Sequence, residues 1–172
     1  MSRPDNYYMA VTTETFFNSG SYIAEGELWV SGHLSRVRVT QPDGDIKNVI
    51  FTQNDVFVWY DSTNDVVTFS AGEVTVDDEL FLYTYEDILD KSLAEITDAG
   101  YGESDEISCI YAKLVNNDME TCVWVSVTDP LPVRIETTEG GIRSQITVRT
   151  DVVLSDPGAE PFTLPDGTVV QS

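Results

Sequence analysis

The sequence predicts a mainly β protein with a minor helical part: a single curved antiparallel sheet, a half-open barrel of about eleven strands, with a short helical lid. Three observations carry this. Turn signals recur roughly every ten residues between segments of alternating hydropathy. The hairpins they imply hand one apolar face from strand to strand. The strand rhythm then breaks once, at residues 77–97.

The turn signals are Asn18-Ser19-Gly20, Gly32-His33, Asp43-Gly44, Gln53-Asn54, Ser62-Thr63, Asn116-Asn117, Asp129-Pro130 and Gly140-Gly141. A two-residue turn at Ser19-Gly20 sets Val11 against Leu28 and Met9 against Val30. The next turn, at Gly32-His33, sets Leu28 against Val37 and Gly26 against Val39. Turns at Asp43-Gly44 and Gln53-Asn54 set Val37 against Ile50 and Ile50 against Phe57. A longer turn after Asp61 sets Phe57 against Phe69 and Trp59 against Val67. Directly opposed residues share a face, and a one-residue slip would invert every side chain. The same register places Glu27 opposite Arg38, an ion pair, and Trp29 opposite Arg36, a cation–π contact, on the other face.

In Asp77–Asp90 the alternation is lost. Thr84 and Asp87 have the spacing of a capping box with Asp in place of Glu. Short helices are expected near 77–82 and 85–94, with Leu80, Phe81, Ile88, Leu89 and Leu93 on their apolar sides. Strands resume near 98–102, 105–115, 119–127, 132–138 and 142–153. Gly140-Gly141 sets Ile135 against Ile146 and Val133 against Val148. The tail around Phe162-Thr163-Leu164-Pro165 is expected to cover a sheet edge. Residues 1–172 read as one domain, with 77–97 as a lid insertion. So much sheet cannot stay flat, and its inner face needs a cover that only 77–97 is free to supply.

Composition narrows function. Nine Lys and Arg stand against thirty Asp and Glu, a formal charge of −21, which repels phosphate backbones and anionic headgroups and excludes nucleic acid as a partner. The apolar share of 41% supports a packed core. No run of about 18 apolar residues occurs, so no transmembrane helix is expected, and no leader pattern precedes the first strand. His33 is the only histidine and sits at a hairpin turn. No catalytic residue is proposed, since a nucleophile would lack a base. Cys109 and Cys122 do not form a Cys/His cluster, so no metal site and no cofactor are expected. The acidic clusters at 43–45, 61–65, 77–79 and 103–106 lack regular calcium-loop spacing and read as solvated turns. A turn at Asn116-Asn117 sets Tyr111 against Cys122 and Cys109 against Trp124. The two cysteines are then diagonal neighbours about 7–8 Å apart, slightly beyond bridging distance. A bulge or a shifted turn would bring them opposite, so both a disulfide and two free thiols stay open.

The stretch Cys122-Val123-Trp124-Val125-Ser126-Val127-Thr128-Asp129-Pro130-Leu131-Pro132-Val133-Arg134-Ile135-Glu136 resembles one in the bacterial LolA-like lipoprotein-carrier superfamily. There a strand ends in an aspartate-containing turn, followed by a Leu-Pro pair and an alternating strand. Phe162-Thr163-Leu164-Pro165-Asp166-Gly167-Thr168 is similar to the family's closing segment, and Tyr22–Val30 to its second strand. The resemblance implies a curved sheet whose helices close an apolar cavity. Its members carry lipoprotein acyl chains, bind lipid as Gram-positive lipoproteins, or act as periplasmic sensors that restrain anti-sigma factors. It also implies an extracytoplasmic setting, often with lipid anchoring at a cell surface, though the anchoring cysteine and N-terminal helix of the family have no match here. Arg36 and Arg38 are nearest to the family's lid-latching arginine, and the register turns both to the other face.

The expectation is therefore a monomeric binding protein, not an enzyme, that holds a lipid, a lipoprotein acyl chain or another apolar ligand between sheet and lid. Its cavity is assigned to Val11, Leu28, Val37, Val39, Ile50, Phe57, Trp59, Val67 and Phe69 on the sheet and to Leu80, Phe81, Ile88 and Leu89 on the lid. Phe57, Trp59 and Phe69 are its expected floor. The rival is an envelope sensor or protein-interaction module whose cavity is filled by its own side chains.

Overall fold

The computed structural model describes residues 3–72, 75–80, 82–83, 85–92 and 94–171, with the side chain of Tyr85 excepted. Phe81, Thr84 and Leu93 lie outside the described residues. The strands are β1 (Asn6–Phe17), β2 (Gly20–Ser31), β3 (Leu34–Thr40), β4 (Ile46–Phe51), β5 (Asp55–Tyr60), β6 (Val67–Ser70), β7 (Ile96–Ser104), β8 (Ile107–Asn116), β9 (Met119–Ser126), β10 (Pro132–Glu139) and β11 (Ile142–Val153). Two short helices, α1 (Val76–Leu80) and α2 (Tyr85–Leu89), interrupt them, and a 3-10 turn spans Glu160–Phe162. Among the described residues the eleven strands form one antiparallel sheet in the order β6-β5-β4-β3-β2-β1-β11-β10-β9-β8-β7, open at β6 and β7. The mainly β class, the strand number and the short helical interruption are as the sequence predicts.

The chain forms two compact units. One comprises residues 4–11, 24–80 and 150–172, and the other residues 1–3, 12–23 and 81–149.

In the first unit, β2 and β3 pair as the turn at Gly32-His33 dictates. Leu28 faces Val37, Gly26 faces Val39, Glu27 faces Arg38 and Trp29 faces Arg36. The next hairpin departs from expectation. Val37 pairs with Val49, not Ile50. Pro42 and Gly44 are the cause. Gly44 N donates to Gln41 O (2.9 Å) and Gln41 N donates to Asp45 O (2.7 Å), which leaves Pro42-Asp43-Gly44 as a three-residue loop. Proline fits the second turn position, and the glycine takes φ +89° in the left-handed region. An odd loop inverts the facing of everything after it. Ile50 still pairs with Phe57, but both now lie on the Trp29 face, as does Trp59 opposite Asn48. Between β5 and β6 a second one-residue slip restores the original facing. Val56 pairs with Phe69 and Val58 with Val67, in place of the expected Phe57–Phe69 and Trp59–Val67 pairs.

The Leu28 face of this unit buries Tyr7, Met9, Val11, Leu28, Val37, Val39 and Val49. Fully burying such a side chain contributes about 1.5–3 kcal/mol. The β1–β2 turn falls at Asn18-Ser19, one residue earlier than expected. The two-residue change in pairing preserves facing, and Val11 lies against Gly26.

The Trp29 face has its own small core, with Ile50, Trp59 and Phe162 buried. The tail does not cover a sheet edge as expected. It packs on the face of β3, an internal strand. The Arg36 guanidinium holds it there. Nη1 donates to Pro161 O (2.6 Å) and Nη2 to Asn48 Oδ1 (2.7 Å). The guanidinium carbon stands 5.6 Å from the Trp29 ring centre and 5.2 Å from that of Trp59. Arg36 Nε is buried with no hydrogen-bond partner among the described residues, and burial draws the Arg36 pKa below its ordinary value. Arg38 bridges Glu27 (3.2 Å) and Asp61 (3.6 Å). Tyr8 donates to Glu27 (3.0 Å). Burial, then Glu27, pushes its phenol up to about 12.

In the second unit the apolar face carries Ala112, Leu114, Val123, Val125, Val133 and Ile135, all buried, with Thr13 and Thr147 hydrogen-bonded at 2.9 Å beside them. The β8–β9 turn falls at Asn117-Asp118 and sets Tyr111 opposite Trp124, Cys122 opposite Lys113 and Cys109 opposite Ser126. The cysteines keep a common face but stand further apart than expected, and both are free thiols. The tight turn at Gly140-Gly141 forms with φ +56° and +79°. A bulge between Thr137 and Thr138 then shifts the register by one, so Ile135 faces Thr147 and Ile146 faces Glu136 instead of Ile135. The aspartate-containing turn is tied internally. Asp129 Oδ1 accepts from Leu131 N (3.1 Å) and Arg149 Nη1 (2.9 Å), and Ser126 Oγ accepts from the Thr128 and Asp129 amides (3.1 and 3.3 Å).

Candidate functional site

The restored facing of β6 builds a pocket on the Leu28 face of the first unit. It encloses about 410 Å³ and is lined by Lys47, Val56, Val58, Tyr60, Asp65, Val67, Phe69, Ser70 and Glu79. Alternation along β5 supplies Val56, Val58 and Tyr60. Alternation along β6 supplies Val67 and Phe69. Among the described residues no side chain fills the pocket: Val67 is 52% and Phe69 53% exposed, although both lie within an apolar wall.

Helix α1 borders this wall. The helix is started by a capping box missed in the sequence, at Thr75 and Asp78. Asp78 Oδ2 accepts from Thr75 N (2.9 Å) and Thr75 Oγ1 (2.7 Å), while Thr75 Oγ1 accepts from Asp78 N (3.3 Å). The Thr75 hydroxyl, then its amide, lowers the Asp78 pKa. Leu80, 2% exposed, then sits over Gly26. A Cβ on Gly26 would approach Leu80 Cδ2 to 2.5 Å and Val11 Cγ2 to 3.1 Å, so the bare glycine backbone makes the seat for α1. Glu79 accepts two hydrogen bonds from Lys47 Nζ, at 2.7 and 2.8 Å. This ion pair ties α1 to β4 beside the pocket.

The sequence-assigned cavity residues separate accordingly. Val67 and Phe69 line the pocket. Val11, Leu28, Val37 and Val39 share its face but are packed into the core. Ile50, Phe57 and Trp59 lie on the opposite face, so of the expected aromatic floor of Phe57, Trp59 and Phe69 only Phe69 lies on the pocket face, where Val56 and Val58 join it. Leu80 is buried against the sheet. Ile88 is half-buried and Leu89 is 64% exposed, both in the second unit. Lys47, Val56, Val58, Tyr60, Asp65, Ser70 and Glu79 were missed. Pro42 was the signal that would have found Val56 and Val58, because a Pro-Asp-Gly loop has odd length.

The chemistry of the pocket is that of an apolar recess with a neutralised ion pair and one further carboxylate, Asp65. His33 is exposed at its turn. Among the described residues no group of three or more His, Cys, Asp or Glu side chains is placed to hold a metal ion.

No family model matches the sequence, and no curated protein sequence matches it significantly. Solved structures do match. An uncharacterized conserved protein from Thermus thermophilus aligns with a TM-score of 0.64 at 13% identity, over 97% of this chain and 90% of that one. MucB, in its complex with MucA(peri), aligns with a TM-score of 0.55 at 13% identity, over 97% of this chain. The chain spans 57% of the length of that MucB structure. A LolA superfamily protein from Nitrosomonas europaea aligns with a TM-score of 0.42 at 14% identity, over 93% of this chain and 90% of that one. At these identities the first two likenesses are of fold: the chain is built like the Thermus protein and like part of MucB.

Proposed function

We propose that the protein is an extracytoplasmic binding protein that holds an acyl chain or a comparable apolar ligand against the Val56–Val58–Phe69 wall beside α1. The observation that carries this reading is the 410 Å³ pocket with half-exposed Val67 and Phe69 in its wall. Its volume falls within the range of about 300–1,000 Å³ of small-molecule sites, and a mostly apolar lining with few polar groups is their usual character. The resemblance of Cys122–Glu136 to exported lipoprotein carriers supports both the ligand class and the setting.

The test is titration with a fluorescent acyl probe. Wild-type protein should enhance its emission saturably. Val58→Trp, which fills the recess, should weaken binding by about tenfold or more, equivalent to about 1.4 kcal/mol. Phe57→Ala, on the opposite face, should leave affinity unchanged. Equal affinity of wild type and Val58→Trp would remove the pocket from the account. A second reading, recognition of a protein partner, is favoured by the fold shared with MucB, which is solved in complex with MucA(peri).

A further inference from the structure

We infer that β6 is a docking edge for an extended segment of a partner protein, with apolar side chains at alternate positions and lysine or arginine between them. Among the described residues β6 ends the sheet order and pairs only with β5. Its register and the bond from Ala71 N to Asn54 O (2.8 Å) fix which backbone groups remain free. Hydrogen-bonded pairs alternate in an antiparallel ladder. Val67, Phe69 and Ala71 therefore turn their amides and carbonyls toward β5, and Thr68 and Ser70 turn theirs away. Among the described residues no hydrogen bond reaches the outward groups of Thr68 or Ser70.

Folded proteins blunt such edges with short length, charge, proline, a bulge or a cover. Val67-Thr68-Phe69-Ser70 is short but carries no charge, proline or bulge, and Val67 and Phe69 stay about half exposed. A strand added at this edge would continue the face that carries them, gaining main-chain hydrogen bonds at Thr68 and Ser70 and apolar contact at the pocket wall. Charge selects the occupant. Asp65 precedes the strand, Asp55 pairs with Ser70 at its end, and the pocket's cation, Lys47, is held by Glu79. A second copy of the chain brings its own charge of −21 and is repelled. A basic segment is drawn in.

The experiment uses the full chain and two synthetic peptides of about six residues, a typical strand length, alternating Val or Phe with Lys in one and with Glu in the other. Fluorescence anisotropy should show binding of the Lys peptide, and weakening of at least about tenfold by Thr68→Pro. That substitution removes only an outward amide, a position where an edge strand tolerates proline. In wild-type protein, amide hydrogen exchange read by NMR should slow at Thr68 and Ser70 on peptide addition. This second readout does not depend on the variant folding. No binding of the Lys peptide, equal binding of the Glu peptide, undiminished binding by folded Thr68→Pro, or unchanged exchange at Thr68 and Ser70 would each overturn the docking edge. Acyl-probe binding without peptide binding would do so while leaving the pocket reading intact.

Discussion

Asp129 shows how one side chain turns a short motif into structure. Its Oδ1 takes both the Leu131 amide and the Arg149 guanidinium, and the Asp129 and Arg149 side chains are only 10% and 4% exposed. Removing one partner of a buried pair strands the other charge at a cost of about 3–5 kcal/mol. Asp129→Ala should therefore lower the unfolding free energy by that amount in urea titration, and a loss under about 1 kcal/mol, the scale of a surface pair, would show that the turn is held otherwise. Cys122 offers a second check. Burial, then Glu136, pushes its thiol up to about 11, so little thiolate exists near neutrality. Alkylation of the native protein at pH 8 should be slow at Cys122 and speed up as pH rises toward 11. Rapid labelling at pH 8 in the folded state would contradict this environment.

Among the elements, α1 has two described anchors, Leu80 over Gly26 and the Lys47–Glu79 pair, and each can be removed singly. Gly26→Ala places a methyl against Leu80, so amide exchange across 76–80 should quicken while the strands of the first unit keep their protection. Equal protection in the variant would mean that Leu80 is not the anchor. Acid should act in the same place. The folded-state pKa of Asp78 is lowered by Thr75. Its cap thus stabilises fully above the ordinary carboxylate pKa and fades as pH falls through the depressed value. The protection factor across 76–80, measured against the intrinsic rate at each pH, should fall on acidification through that range, and Asp78→Asn should blunt the response.

The elements also show what sequence reading can reach. The β2–β3 register was legible because Gly32-His33 makes a two-residue turn whose facing is confirmed on both faces, by Leu28–Val37 and by Glu27–Arg38. β4 and β5 were misfaced because Asp43-Gly44 was read without Pro42. The error cancelled at β6, where a second slip returned Val67 and Phe69 to the pocket face. Loop parity, not hydropathy, decided these facings: Ile50 and Val49 are both buried, one on each face. The bulge at Thr137–Thr138 left no comparable mark in the sequence, and the capping box at Thr75 was overlooked because the helix starts one residue earlier than expected.

For the whole molecule, the dominant physical fact is the charge of −21 on 172 residues. Self-repulsion of this kind opposes compactness and is screened within a Debye length of about 8 Å at physiological ionic strength. Raising sodium chloride should therefore raise the melting temperature. A flat or falling trend would mean that the paired arginines and lysines already balance the field locally. The same charge repels anionic surfaces, and on the proposed reading the apolar recess beside α1 and its strand edge take up uncharged or basic partners.

The most direct test of that claim is native mass spectrometry of protein purified from its own host without detergent. Wild-type protein should carry an added mass that gentle activation releases as a lipid or other apolar molecule, and Val58→Trp should carry none. A clean mass for the wild type, together with failure to take up the acyl probe, would contradict the account.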